Sequence, residues 1–294
     1  MASLIREFVT SEQIRGFPEV WGRLSRHRAA LVGLGIVLAL GLAGALAPFL
    51  TPHDPIRQDL NQVLLPPSLE HPLGTDHLGR DLLARILYGG RLSLFIGVLA
   101  VAFGLTIGVP LGVVSGYYRG GVDLVVQRLV DIMLAFPSFL LALALVALLG
   151  VGLTNVIVAV GISTVPRFAR IVRGSVLSIR EQVYVEAARA VGAPDLLILF
   201  RHVLPNALAP VIVQATLSMG ITILVAAGLG FLGLGVQPPT PEWGAMLGEG
   251  RLYIFHSPYA ATFPGLAIFL AVMGFNLLGD GLRDALDPRL RGIL

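Results

Sequence analysis

The stretch Ala29–Leu50, AALVGLGIVLALGLAGALAPFL, carries no charge and matches the ~20 residues that cross a ~30 Å hydrocarbon layer as a helix. Eight charged residues precede it: Arg6, Glu7, Glu12, Arg15, Glu19, Arg23, Arg26 and Arg28. The apolar run behind them is too long for the core of a cleavable signal, so it reads as an anchor. The whole chain agrees: among 294 residues, 55% are hydrophobic and 13% charged, and the surplus needs lipid to bury it.

Working outward, further runs follow at roughly Leu92–Tyr117, at Val130–Gly150 with a kink at Pro137, and at Leu153 to about Arg170, where Pro166 and Arg167 end it. Ala207–Leu234 and Phe263–Leu278 bring the count to six. The fold class is therefore an all-α membrane protein of six transmembrane helices, with segments 1–28, 29–285 and 286–294. Arginine sets its orientation, because short cytoplasmic loops collect basic residues. With the N-terminus inside, inner segments hold sixteen arginines and the outer loops 51–91 and 235–262 hold five, which places both termini in the cytoplasm.

Composition removes several functions. Every basic residue counted as Lys or Arg is arginine, so the chain has neither a P-loop lysine nor a Schiff-base lysine and cannot be a Walker-type ATPase. The chain has no cysteine and hence no disulfide or thiolate metal site. A pI near 9.7 on a net charge of +3 suits anionic lipid headgroups better than nucleic acid. Its six histidines form no metal-binding pattern; His71 and His77 with Asp76 and Asp81 are the one outer grouping that could hold a metal, and none is expected. Serines near spans have no histidine beside them, which argues against an intramembrane peptidase. Asp131, near the inner end of its run beside Arg128, reads as paired or interfacial, and the lack of another deep carboxylate argues against a proton-coupled secondary transporter. Gly104, Gly108 and Gly112, with Gly220, Gly228, Gly230 and Gly233, read as packing positions.

Residues 51–91 are proline-rich and are expected to run extended before a short helix near Gly79–Leu87. In 235–262, Trp243, Tyr253, Phe255 and Tyr259 suit an interfacial or re-entrant piece, a gate or docking surface at the outer mouth. Within 178–206, Ser178 and Glu181 could form a capping box that opens a helix ending at Gly192. Pro194 and Asp195 then start a second short helix that stops at Pro205. Arg189 and Arg201 lie on this element as candidates for a partner surface.

At 186–205 the chain reads EAARAVGAPDLLILFRHVLP. It resembles the cytoplasmic EAA loop of permeases from bacterial binding-protein-dependent ABC importers, with Glu186, Ala187, Ala188, Gly192, Leu204 and Pro205 in the matching places and His202 where isoleucine is common. HPLGTDHLGRDLLARILYGGRLSL at 71–94, GFLGLGVQPPTPEWGAML at 230–247 and LDPRLR at 286–291 are similar to the C-type permease of the dipeptide/oligopeptide/nickel subfamily.

The resemblance implies a type I importer fold in the bacterial inner membrane. It also implies a homologous B-type permease, two ABC ATPases that bind ATP and Mg, and an extracytoplasmic peptide-binding protein. Glu186, Ala187, Ala188, Arg189, Gly192, Leu204 and Pro205 would couple to the ATPase, while Gly74, Asp76, Gly79, Arg80, Asp81 and Trp243 would form an outer loop or gate. This chain would supply no catalytic residue and bind no cofactor or metal. Its cargo would be di- or oligopeptides; the alternative is nickel, glutathione or another small solute, with a secondary transporter further behind.

Overall fold

The computed structural model describes residues 20–286, so the tail from 287 onward and most of the first segment lie outside the described residues. Among the described residues, eleven α-helices have both ends defined: α1 Arg28–Ala45, α2 Ala47–Leu50, α3 Leu82–Tyr118, α4 Gly120–Leu134, α5 Ser138–Leu149, α6 Leu153–Ile179, α7 Val183–Ala190, α8 Asp195–Ile198, α9 Leu204–Phe231, α10 Trp243–Gly250 and α11 Tyr259–Leu286. Five helical stretches are long and apolar enough to span a membrane, and α4 with α5 make a sixth that is bent by 91°.

Several elements depart from the expected boundaries. The short helix near Gly79–Leu87 is the start of α3: Asp81 caps it through Ala84 N–H at 2.7 Å, and the helix runs 37 residues, through Pro110, to Tyr118. Pro166 sits inside α6 without ending it. The run Val130–Gly150 is not one helix but breaks at Ala135–Pro137, where proline excludes the α conformation for the residue before it.

α3 and α6 form the centre of the bundle. They approach closely because α3 presents a glycine every fourth residue. A methyl group there would lie 1.9 Å from Thr164 Oγ1 at Gly104, 2.7 Å from Phe168 Cβ at Gly108, 2.6 Å from the Ala169 carbonyl at Gly112 and 2.9 Å from the Arg173 carbonyl at Gly116. α1 packs on α11, with Gly33 against Gly274 and Leu278, and Gly281 against Ala30. His27 on one side and Asp284 on the other close that pair at 3.3 Å. Val20 and Leu286, the limits of the described chain, thus share the face that carries α7, and the long loops 51–81 and 232–258 lie on the opposite face.

Candidate functional site

Two regions concentrate the motif residues, one on each face. On the α7 face, the chain leaves α6 and forms α7, whose Val185 is buried with Ile198, Leu199 and Val203 against Tyr117, Val172 and Val176. Val183, Tyr184, Val191, Leu196, Leu197 and Phe200 remain exposed, as do Glu186, Ala187 and Arg189. The element is therefore anchored by one apolar edge and offers the other.

Gly192 ends α7 with φ +81, a left-handed conformation that favours glycine. The Gly192 N–H donates to the Arg189 carbonyl at 2.9 Å and Ala193 N–H to the Ala188 carbonyl at 3.1 Å, the paired bonds of a Schellman stop. No atom lies within 4 Å of a Cβ placed there, so within this chain a side chain at 192 meets strain but no clash.

The expected capping box does not form. α6 continues through Ser178 to Ile179, Gln182 precedes α7 without a side-chain cap, and Glu181 instead pairs with Arg119 at 2.6 Å. Nor does a second short helix stop at Pro205. α8 widens into a π segment at Leu199–Val203 and runs on as α9, with Pro205 in the first turn after the widening. A proline there cannot supply the ordinary backbone bond, and a wider turn absorbs the loss.

Tyr117 fastens the element: its hydroxyl donates to Asp195 Oδ1 at 2.6 Å, and the Arg189 guanidinium lies 5.5 Å from its ring centre. Arg180 donates to the Tyr117 carbonyl, and burial beside Arg119 and Arg189 holds the Arg180 pKa below the usual guanidinium value. Asp131 pairs with Arg170 rather than Arg128, since the α4 axis brings it against α6.

On the opposite face, Arg80 and Arg85 are buried and shared by two acids. Arg80 Nε meets Asp76 Oδ2 at 2.6 Å and its Nη2 meets Glu249 Oε2 at 2.8 Å, while Arg85 reaches the same two carboxylates at 3.3 Å. Two positive and two negative charges thus cross-brace the 71–81 loop to α10. His71 is separately held by Asp81 at 2.8 Å and Gln62 at 2.8 Å. Gly74 and Gly79 turn this loop with positive φ, and a methyl at Gly79 would overlap the Asp59 carbonyl at 1.8 Å.

Metal-like groupings do occur here, but not as the sequence paired them: His53, His71 and Asp81 form one, and Asp76, His77 and Glu249 the other. Both ring nitrogens of His71 are already occupied, and the second group's two acids already hold two arginines. These donors are arranged as braces.

Trp243 is 1% exposed, so its ring is not part of a docking surface. Its Nε1 donates to the Ile86 carbonyl at 3.0 Å and the ring lies over Gly90, where a methyl would sit 2.9 Å from Cζ2. Beside it, Glu242 caps α10 by accepting from Gly244 N–H at 2.8 Å and Ala245 N–H at 2.9 Å, and from the Ser93 hydroxyl at 3.1 Å. Burial nonetheless pushes the Glu242 pKa up. Sequence reading missed Glu242, Glu249 and Arg85; the one signal was two acids spaced seven apart in a loop otherwise poor in charge.

Comparison with known proteins places this geometry. Residues 108–292 match the binding-protein-dependent transport system inner membrane component, and residues 17–67 match the N-terminal TM domain of oligopeptide transport permease C. The chain is 49% identical to the dipeptide transport system permease protein DppC of Alkalihalophilus pseudofirmus, over 93% of this chain and 90% of that one. It is 48% identical to the glutathione transport system permease protein GsiD of Pectobacterium atrosepticum, over 93% and 91% respectively. In fold it is similar to a chain of the inward-facing MetNI methionine ABC transporter, with TM-score 0.57 and 23% identity over 69% of this chain and 96% of that one. The chain belongs to the family of binding-protein-dependent transport system inner membrane components, as a non-catalytic, multi-pass permease subunit of the inner membrane.

Proposed function

We propose that this chain pairs with a homologous B-type permease to form the passage of an ATP-driven importer of short peptides. Glutathione, itself a tripeptide, falls within that class, and relatives named for dipeptide and for glutathione transport are nearly equal in identity to this chain. These relatives support glutathione, the alternative named beside di- and oligopeptides, at least as well as the peptides themselves. Two partner ATPases bind ATP and Mg beneath the α7 face, which is cytoplasmic in this reading and carries both termini. An extracytoplasmic binding protein delivers cargo to the opposite face.

The observation that carries the proposal is α7 itself: a short helix, fixed at Val185 and Tyr117, stopped sharply at Gly192 and exposing Glu186, Ala187 and Arg189. Small residues let a partner groove close on it, and Glu186 accepts charge-assisted hydrogen bonds there. Leu204 and Pro205 begin α9, so a push on α7 enters a span directly. Gly74, Asp76, Gly79, Arg80, Asp81 and Trp243 keep the opposite face rigid beneath the binding protein.

The test is reconstitution of the four-subunit complex in proteoliposomes with each candidate binding protein. ATP-dependent accumulation of labelled dipeptide or glutathione is expected. A complex that assembles, hydrolyses ATP on addition of loaded binding protein and accumulates neither peptide would reject the cargo class.

A further inference from the structure

Three arginines stand on the second half of α6, and their partners differ. Arg173 is bidentate to Asp123, with both bonds at 2.6 Å. Arg170 is paired with Asp131, and both side chains are about half exposed. Arg167 has no carboxylate within ion-pair distance among the described residues; its nearest polar contact is Ser138 Oγ at 3.5 Å. One positive charge is therefore left over on this face.

Its depth makes that surplus unusual. Arg167 lies about 21 Å along α6 from Leu153 and about 18 Å from Ile179, near the middle of a helix long enough to span the membrane. Ser138 begins α5 at the point where the broken span turns by 91°, and α5 starts without a side-chain cap. A guanidinium at such a depth is costly against lipid and is retained where it faces water or another polar group. The half-exposed Arg170–Asp131 pair, a turn away on the same helix, makes lipid an unsuitable neighbour for this face as well.

We infer that Arg167 and Arg170, beside Ser138 at the break between α4 and α5, form a step in the passage that takes a carboxylate of the cargo, such as the C-terminal carboxylate of a short peptide. The planar guanidinium offers parallel N–H donors that match the two oxygens of a carboxylate. Arg167 supplies the uncommitted charge, and Arg170 is held in place by Asp131 and shares the same approach. Asp131 keeps the pair of arginines from binding an anion too tightly to release it, since it cancels one of their two charges. This inference rests on the transport reading for its cargo but not for its chemistry, which is that of a water-filled, anion-selective surface.

The absence of cysteine allows a direct test. In the purified complex with cysteine-free partners, Ser138→Cys is exposed to an anionic sulfonatoethyl methanethiosulfonate and to a cationic trimethylammonium analogue. With each rate normalised to that of the same reagent with a free thiol in solution, the anionic reagent is expected to react about fivefold or more faster, and adding Arg167→Gln should bring the normalised ratio close to unity. Failure of both reagents to react, or a preference untouched by Arg167→Gln, overturns the inference; the latter would assign the charge to an acid-paired contact with the second permease.

In proteoliposomes, Arg167→Gln is expected to lower uptake of a dipeptide about tenfold while stimulation of ATP hydrolysis by loaded binding protein persists, with Arg167→Lys recovering part of the uptake. Unchanged uptake in Arg167→Gln overturns the role in passage, as does equal loss in both variants. If the unmodified complex accumulates no peptide, the transport reading fails, and the labelling ratio still decides whether the anion-selective surface exists.

Discussion

The Tyr117 hydroxyl donates to Asp195 across 2.6 Å, joining the last turn of α3 to the first residue of α8. One side chain thereby ties the central helix of the bundle to the element proposed to meet the ATPase. A hydrogen bond to a carboxylate contributes about 1.5–3 kcal/mol, more than an ordinary neutral one.

Tyr117→Phe keeps the apolar ring in its cluster and removes only that bond. We expect normal membrane insertion, faster amide exchange across 183–198 and weaker coupling of ATP hydrolysis to uptake. Exchange rates equal to those of the unmodified protein would show that Val185 and Ile198 hold the element by themselves.

Gly192 tests whether α7 meets a partner. In the isolated chain a Cβ at 192 has open space, so Gly192→Ala should cost only about 1–2 kcal/mol of left-handed strain. Gly192→Asp should likewise insert, yet abolish uptake through clash in an ATPase groove. Ligand-stimulated ATPase activity and peptide uptake are the measurements, and full activity of the Asp variant would reduce α7 to a passive connector.

Glu242 gives a pH dependence of known sign. Because burial raises its pKa in the folded chain, the native state holds the proton more firmly than the unfolded chain does. The stability this confers is complete below the ordinary carboxylate range and is lost as pH rises through the raised native value. Thermal unfolding of the detergent-solubilised protein should fall with rising pH in that window, and Glu242→Gln should flatten the slope while losing the acceptor for Ala245 N–H. Parallel slopes for the two proteins would contradict this.

Orientation is tested by single cysteines. Ser68 and Phe255 are exposed on the loop face and should label from outside the cell with an impermeant thiol reagent, whereas Ser178 should label only after permeabilisation. Ser257 is unsuitable because it is buried. Labelling of position 178 in intact cells would invert the arginine argument.

Spans were legible because long uncharged runs have one physical solution in lipid. Breaks within them were less so: Pro166 is absorbed by α6 while Pro137 splits a span, and nothing in the apolar runs around the two prolines tells them apart. Gly192 could be read as a helix stop because its requirement is local. Trp243 could not, since an aromatic residue in a loop looks the same whether it faces a partner or fills the space above Gly89 and Gly90. Asp131 has Arg128 three residues away in the sequence, although its partner Arg170 lies 39 residues on in the chain. Pairing across helices has no periodicity for a sequence to display.

The row of glycines along α3 has a mechanical consequence. With Gly104, Gly108, Gly112 and Gly116 seated against the α6 backbone and its Cβ atoms, little compliant side-chain layer separates the two helices, and they are expected to move together as one beam, with Pro110 along the α3 part of it. At 37 residues α3 is about 55 Å long, and a tilt of about 5° about one end carries the other through about 5 Å. The beam ends at Asp81 and the arginine braces on one side and at Tyr117 on the other. If α7 meets an ATPase as proposed, leverage of that kind would carry a small rotation on its face to the opposite face as about a full helical turn of displacement.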